Sequence, residues 1–257
     1  MSVRIAHLSD IHFGDEDPGA VAAAPEAVAA FAPTLTVVTG DLTAIGRRRE
    51  FAAARAWLDR LPSPVLVTPG NHDTPYWNPV LRAIEPFARY RRFIGDAYAG
   101  DFDGPRISAR SVNSARGVQA RLNWSKGALS IGALAGLAWP AGEGVVRLFA
   151  CHHPLVDLAG APVTGEVRRG PQAAAMLEQR GVELLLSGHL HNAFAVRLGQ
   201  SACYALGAGT LSTRLRGAPA SFSTVEIDDW EISVVVRPWR NGRFEAGPVR
   251  RMPRLRN

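Results

Sequence analysis

An α/β fold with a parallel beginning and an antiparallel finish is predicted by two features of this sequence. Short apolar runs alternate with helical patterns through its first third, and a series of hairpin-like strands closes it. A third feature bears on function: five of the apolar runs are followed at once by Asp, Asn or His.

Taken in order, Val3 to Leu8 alternates and is rich in β-branched residues, as a strand is, and Gly19 to Phe31 is an alanine-rich helix interrupted by Pro25. "LTVVTGD" (35–41) is a continuous apolar run of strand length, typical of a strand buried on both faces. Arg48 to Leu61 has helical spacing, "PVLVTPG" (64–70) reads as a third buried strand, and a helix is expected from Pro79 to about Phe93. This β-α-β-α-β order supplies the crossover lengths that parallel pairing requires. From Ile107 to Leu137 the texture changes, and "RISARSV", "GVQARLNW" and "GALSIGALAGL" predict antiparallel strands of a second sheet. "VVRLFACHHP" (145–154) and "VELLLSGHLH" (182–191) are two further apolar strands, with a helix between them at Gln172 to Gly181. "FAVRLG", "SACYALG", "FSTVEIDD" and "ISVVVRPW" then suggest closing hairpins. No repeat and no long linker divides residues 1–236, which are expected to form one domain.

The chain has 257 residues, 47% of them apolar and 20% charged, so it can bury one sizeable core. No run approaches the roughly eighteen apolar residues of a membrane span, and "MSVRIAHLSD" enters a strand in place of a basic, then apolar, leader. A cytoplasmic location is therefore expected. Cys151 and Cys203 make no disulfide framework and read as small buried thiols in strands. The net charge of +6 is concentrated: from Arg237 onward seven arginines face one acid, Glu245, and the preceding 236 residues are balanced. Residues 237–257 are thus set apart as a basic, arginine-rich tail, either a solvated terminus or a contact for nucleic acid or anionic lipid.

The polar residues at the strand exits form an ordered set. Asp10-Ile11-His12 follows the first strand, Gly40-Asp41 the second, and Gly70-Asn71-His72-Asp73 the third; His152-His153-Pro154 and Gly188-His189-Leu190-His191 follow the two later ones. Where such strands run parallel, their turns open on one edge, the carboxyl end, where α/β sheets build ligand sites. Six of the seven histidines fall in these turns; His7 alternates with buried positions and reads as structural. In Asp10-x-His12 and His189-x-His191 the two side chains sit two apart, so in extended backbone they share a side and can reach one ion. Carboxylate oxygens with imidazole nitrogens suit Mn, Fe, Zn or Co better than calcium, and the lack of thiolate ligands argues against a structural zinc site. Asp10, His12, Asp41, Asn71, His152, His189 and His191 are more candidate ligands than one tetrahedral ion needs. They match two divalent ions sharing a carboxylate. Of the adjacent pair, His152 leaves the strand directly and is taken as the ligand, with His153 the alternative.

The ordered series D-x-H, G-D, G-N-H-D, H and G-H-x-H resembles the signature of the calcineurin-like metallophosphoesterase superfamily, from residue 5 to residue 191. The "HHP" and "GHLH" forms look most like its bacterial class III cyclic nucleotide phosphodiesterase branch, which also includes glycerophosphodiesterases. The resemblance implies a four-layer α-β-β-α sandwich, with two mixed sheets between outer helices. It also implies one metal held by Asp10, His12, Asp41 and His191 and another by Asp41, Asn71, His152 and His189, with Asp41 bridging. Asn71 would contribute a neutral oxygen, so the centre would stay positive and attract a phosphate ester. A metal pair roughly 3.5–4 Å apart can hold a hydroxide for in-line attack. His72 is then expected to stabilise the transition state or protonate the leaving alkoxide, and Asp73 to orient a neighbouring group. Substrate contacts are expected from Asn71, His72, His153 and Tyr76, and from Arg168 and Arg169 in the loop after "HHP".

The expected function is hydrolysis of phosphodiester bonds in small diesters or cyclic nucleotides. Alternatives are a hydrolase of a nucleotide-linked lipid precursor at the membrane surface and a nuclease, either using the basic tail as its contact. A non-catalytic scaffold would have lost ligands or His72, and all are present here. The chain departs from the cyclic-nucleotide relatives, which usually read "HHPP", at Leu155, and 104–137 carries no motif for a base or sugar.

Overall fold

The computed structural model describes residues 2–95, 98, 100–140, 142–157 and 167–255. β1 (Val3–Leu8), α1 (Pro18–Phe31), β2 (Leu35–Val38), α2 (Arg48–Leu58) and β3 (Val65–Val67) follow the expected order, and the three strands pair in parallel. Asp17 starts α1 by accepting a hydrogen bond from the Ala20 amide at 2.9 Å, with Pro18 in the first turn. The single helix expected over 79–93 is broken into α3 (Pro79–Ile84), α4 (Ala88–Tyr90) and a π-helical turn at Arg91–Gly95. Pro86 is the cause, since it lacks an amide hydrogen and disfavours helical backbone at Glu85, which adopts φ −138°.

The second sheet is built from β4 (Asp101–Gly104), β5 (Ile107–Ser111), β6 (Val146–Ala150), β7 (Leu184–Ser187), β8 (Phe194–Arg197) and β9 (Tyr204–Gly207), in the order β4-β5-β6-β7-β9-β8. Helices α5 (Ile131–Ala135) and α6 (Gly170–Gln179) cover it. Of the three antiparallel strands expected over 107–137, only β5 forms, antiparallel to β4 and parallel to β6. "GVQARLNW" is a loop, closed by Gln119 Nε2–H to the Lys126 carbonyl at 2.6 Å and Trp124 Nε1–H to the Gln119 carbonyl at 3.1 Å. "GALSIGALAGL" contains α5, because Ser130 caps the small residues after it, accepting from the Ala133 amide at 3.3 Å. The expected closing hairpin of β8 and β9 forms, and β9 also pairs in parallel with β7.

The chain then returns to the first sheet with β10 (Ser221–Ile227), β11 (Glu231–Arg240), β12 (Arg243–Phe244) and β13 (Val249–Pro253), giving the order β12-β11-β10-β1-β2-β3 with β13 also on β11. The boundary expected between residues 236 and 237 therefore falls inside a strand. Residues of the basic segment are sheet components: Met252 is buried in the core, and Arg254 is buried against Glu183 with nitrogen–oxygen distances of 2.7 and 3.0 Å. The alternating Ile232 and Val234, with Met252, supply the burial that a charge count overlooks. Arg256 lies outside the described residues.

The two sheets pack face to face. Val3, Ile5, Leu35, Val37 and Leu66 of one meet Leu148, Ala150, Leu184, Leu186 and Leu206 of the other, while Leu8 and Val38 turn outward under α1 and α2. Phe149, Leu185 and Ala205 turn outward under α5 and α6, completing the four-layer sandwich. Among the described residues no helix is long and apolar enough to cross a membrane. The five ligand-bearing exits are divided three and two between the sheets, and they converge where the rims of both sheets meet.

Candidate metal centre

Asp10, His12, Asp41, His189 and His191 all have positive φ, between 50° and 67°. A residue with a Cβ seldom takes this conformation, which costs roughly 1–3 kcal/mol each and persists only where the surroundings enforce it. They do so here. The Asp10 amide donates to the Gly40 carbonyl at 3.0 Å, the His12 amide to the Asp41 carbonyl at 3.0 Å, and the His189 amide to Asp10 Oδ2 at 2.9 Å. Close approach requires glycine at two points: a Cβ on Gly70 would collide with the Asp41 carboxylate, and one on Gly188 with Ser9 and Asp10. The spacing of two thus works by a route other than strand alternation. Each pair shares a side because both members are left-handed in a tight turn.

Two groups of donor atoms result. His12 Nε2 and His191 Nε2 lie 3.2 Å apart, with Asp10 Oδ1 at 3.7 Å from the first and 3.2 Å from the second. His152 Nε2 lies 3.2 Å from Asn71 Oδ1 and 3.3 Å from Asp41 Oδ2. Asp41 Oδ2 is also 3.8 Å from His12 Nε2, so this carboxylate stands between the groups. His189 packs its ring against His152, with centroids 5.2 Å apart. Two ligands about 2.1 Å from one ion, at tetrahedral to octahedral angles, lie roughly 3.0–3.4 Å apart; four of these separations, 3.2–3.3 Å, match, and the two from His12 to Asp10 and Asp41 are wider, at 3.7 and 3.8 Å. Asp10 Oδ1 and His12 Nδ1 are buried without a hydrogen-bond partner. The donor set and the orphaned oxygen fit divalent transition-metal ions.

The outer nitrogens hold the rings in place. His152 Nδ1–H donates to the Thr39 carbonyl and His191 Nδ1–H to the Arg214 carbonyl, each at 2.7 Å, directing both Nε2 atoms inward. Burial alone would raise the Asp10 and Asp41 carboxyls, but the surrounding imidazoles, led by His191 and His152 respectively, hold both well below the usual carboxylate range. Burial pushes His12 down to about 4 and His189 to about 3. At His152 burial is outweighed by the Asp41 charge, which lifts the ring to about 9.

The other expected residues divide. His72 is half-buried on the cleft; its amide donates to Asp41 Oδ1 and its Nδ1–H to the Ala44 carbonyl, each at 2.7 Å. Tyr76 also lines the cleft, 54% exposed. Asp73 is fully buried and does not face the cleft. Its Oδ2 accepts from the amides of Gly70 (2.9 Å) and Leu42 (3.2 Å), and its Oδ1 from the Thr43 amide and hydroxyl, both at 2.9 Å. Burial and the Asp41 charge push this carboxyl up to about 7 against those bonds, and its task is to lock two turns together. His153, expected at the substrate, is buried behind His152 and His189: Nδ1 meets the Ser114 hydroxyl at 2.8 Å, and Nε2–H donates to the Ser125 carbonyl at 2.7 Å. Arg168 and Arg169 are exposed and do not line the cleft, because the Arg168 backbone is pinned to Gly127 and Leu129.

Cations the sequence reading passed over take their place. Arg216 and Lys126 line the part of the cleft over the donor atoms, about 340 Å³, and Arg82 lines its continuation past His72, about 570 Å³. Arg214 is anchored to Asp15 at 2.6 Å and sets its NH1 3.3 Å from both nitrogens of His72.

The sequence profile described as calcineurin-like phosphoesterase matches residues 3–193. The chain is 25% identical over 241 residues to a probable cyclic nucleotide phosphodiesterase of Synechococcus sp., covering 89% of each. It is 28% identical over 180 residues to a glycerophosphodiester phosphodiesterase of Enterobacter lignolyticus, covering 62% of this chain and 56% of that one. Among solved structures it is similar to a dimetal phosphatase from Danio rerio (TM-score 0.66, 14% identity, 98% of each chain). A Plasmodium inner membrane complex anchor, GAP50, is also similar (TM-score 0.60, 12% identity, 99% of this chain and 90% of that one). Both structural likenesses show the fold.

Proposed function

This chain belongs to the calcineurin-like phosphoesterase family, and on that premise we propose that it is a dinuclear metal-dependent phosphodiesterase for small diesters or cyclic nucleotides. The observation that carries the reading is the placement of Asp41 Oδ2 between two groups of inward-facing donors, at 3.3 Å from His152 and 3.8 Å from His12. Asp10, His12, Asp41 and His191 would hold one divalent ion; Asp41, Asn71, His152 and His189 would hold the other. When bound, such ions (Mn, Fe, Zn or Co) polarise phosphoryl oxygens and make a nucleophile available from water at neutral pH.

The chain's own groups then have distinct tasks. Asn71 keeps the donor set to two carboxylates, so a dianionic cup faces up to four positive charges and retains attraction for a phosphate ester. Arg216 and Lys126 add to that attraction from the wall. As water replaces one ester oxygen on phosphorus, the departing alkoxide needs a proton. His72 is placed to give it from Nε2, its other nitrogen being engaged by Ala44. The cleft continues from the donor atoms past His72, which supports an ester with a substituent lying along that extension.

The test compares bis(p-nitrophenyl) phosphate with p-nitrophenyl phosphate, using Mn²⁺-reconstituted protein and the Asp41→Ala variant as blank. A diester rate well above the monoester rate and abolished in the variant is expected. A faster monoester, or turnover indifferent to chelator and to Asp41→Ala, would overturn the reading.

A further inference from the structure

Arg82 is a buried cation with no anion beside it. Among the described residues three arginines are buried, and two are neutralised: Arg110 by Asp103 at 3.0 Å and Arg254 by Glu183 at 2.7 Å. Arg82, only 8% exposed, has no carboxylate within ion-pair distance among the described residues. Its Nε–H donates to the Gly117 carbonyl at 2.8 Å, and its guanidinium carbon sits 5.7 Å from the centre of the Trp124 ring. The two terminal nitrogens are not among the buried atoms without partners, and the residue lines the cleft that continues from His72. Burial pushes the guanidinium pKa down, the direction expected of a charge that is poorly compensated.

A guanidinium is seldom buried unpaired, and its planar fork is shaped to receive an oxyanion. We propose that Arg82 receives a second oxyanion of the substrate, a phosphate or carboxylate carried on one ester arm beyond the scissile phosphorus. The inference rests on the phosphodiesterase reading and narrows it: the preferred diesters bear two anionic groups, which a simple cyclic nucleotide does not. Tyr76, Leu122 and Trp124 form an apolar wall for the arm that joins the groups. Arg82 would act as a specificity residue, with no part in the bond-breaking step.

Isothermal titration of Mn²⁺-loaded protein with n-alkyl monophosphates of three to six carbons, and with the matching α,ω-bisphosphates and ω-carboxyalkyl phosphates, tests this without turnover. The graded lengths bracket the spacing, and the two doubly charged series separate phosphate from carboxylate. Wild-type protein is expected to bind at least one doubly charged ligand ten-fold or more tighter than its monophosphate. Arg82→Gln should bring the two within about two-fold, and Arg82→Lys should keep part of the preference. No preference at any length, or a preference that survives Arg82→Gln, would overturn the proposal. If Arg82→Gln does not fold, judged by circular dichroism, Arg82→Lys must still shrink the preference, because a point charge replaces the fork; an unchanged preference there overturns it as well. A parallel assay follows p-nitrophenol release from p-nitrophenyl butyl phosphate with and without a terminal phosphate. Arg82-dependent binding without release from either ester defeats the phosphodiesterase reading and leaves the anion site standing. Release from both with no Arg82-dependent preference does the reverse.

Discussion

His12 and His191, 179 positions apart in the chain, bring their Nε2 atoms within 3.2 Å of each other, beside a buried carboxylate oxygen of Asp10 that accepts no hydrogen bond. The backbone strain at both residues is maintained for this convergence, which protein groups alone leave poorly satisfied. Adding Mn²⁺ to metal-stripped protein is therefore expected to raise the melting temperature. At a hundred-fold excess over Kd each ion contributes about 2.7 kcal/mol, or roughly 5–10 °C for a chain of this size. Elemental analysis should find two ions per chain in the wild type and fewer in His191→Ala. A melting temperature indifferent to metal would sink the assignment.

His72 rests on Asp41 and Ala44 through its amide and Nδ1, and its Nε2, 3.3 Å from Arg214 NH1, is the ring nitrogen we assign to the leaving oxygen. Loss of a positioned proton donor costs roughly 10²- to 10⁴-fold. The cost depends on the leaving group, because p-nitrophenolate departs without a proton and an alkoxide does not. His72→Asn is expected to slow glycerophosphodiester hydrolysis far more than that of bis(p-nitrophenyl) phosphate, with metal content unchanged. Equal losses on both substrates would assign His72 to binding or metal support.

Asp73 shows how a residue adjacent to the chemistry can be wholly structural. Three of its four hydrogen bonds join the turn after β3 to the turn after β2, and the fourth, from the Gly70 amide, closes its own turn. Asp73→Asn puts an NH₂ against backbone amides, leaving one or two buried donors unsatisfied, for a loss of about 3 kcal/mol. Urea unfolding of the metal-stripped variant measures this directly. A stability change under about 0.5 kcal/mol, within the range of surface substitutions, would contradict the role.

The parallel first third and the residues of the two converging donor groups were legible because each exit pairs a buried strand with residues a loop has no other reason to carry. Arg214 and Arg216 were missed although the same rule applies to them. They follow β9, which forms the expected hairpin with β8 but also runs parallel to β7 and opens on the same rim, a pairing the hairpin pattern alone does not reveal. Arg82 was hidden for another reason: within a helical pattern an arginine reads as solvated, and its burial arises from the 117–124 loop, whose alternation imitated a strand. The basic segment misled in the opposite sense. Counting charge along residues 237–257 obscured that Val249 to Pro253 pairs along β11, with Met252 buried in the core.

His7 provides a test of the fold that is separate from the metal. It is fully buried in β1, with Nε2 3.0 Å from the Thr39 hydroxyl, and burial pushes it down to about 3, only partly offset by the Asp10 charge. In the unfolded chain the same ring titrates near 6.5, so between pH 6.5 and 3 the unfolded state binds the extra proton and stability falls as pH falls. Each unit below 6.5 costs about 1.4 kcal/mol, so a change from pH 7.5 to 5 should remove about 2 kcal/mol through this residue alone. The other buried histidines and the carboxylates contribute their own terms, which cancel when His7→Gln is compared with wild type over the same pH range. Gln retains a donor for Thr39 and cannot titrate. Urea unfolding of metal-stripped protein at both pH values should show the variant losing about 2 kcal/mol less than wild type. Identical losses would mean that His7 is protonated in the folded state, and that the first strand is less closed to water than its packing indicates.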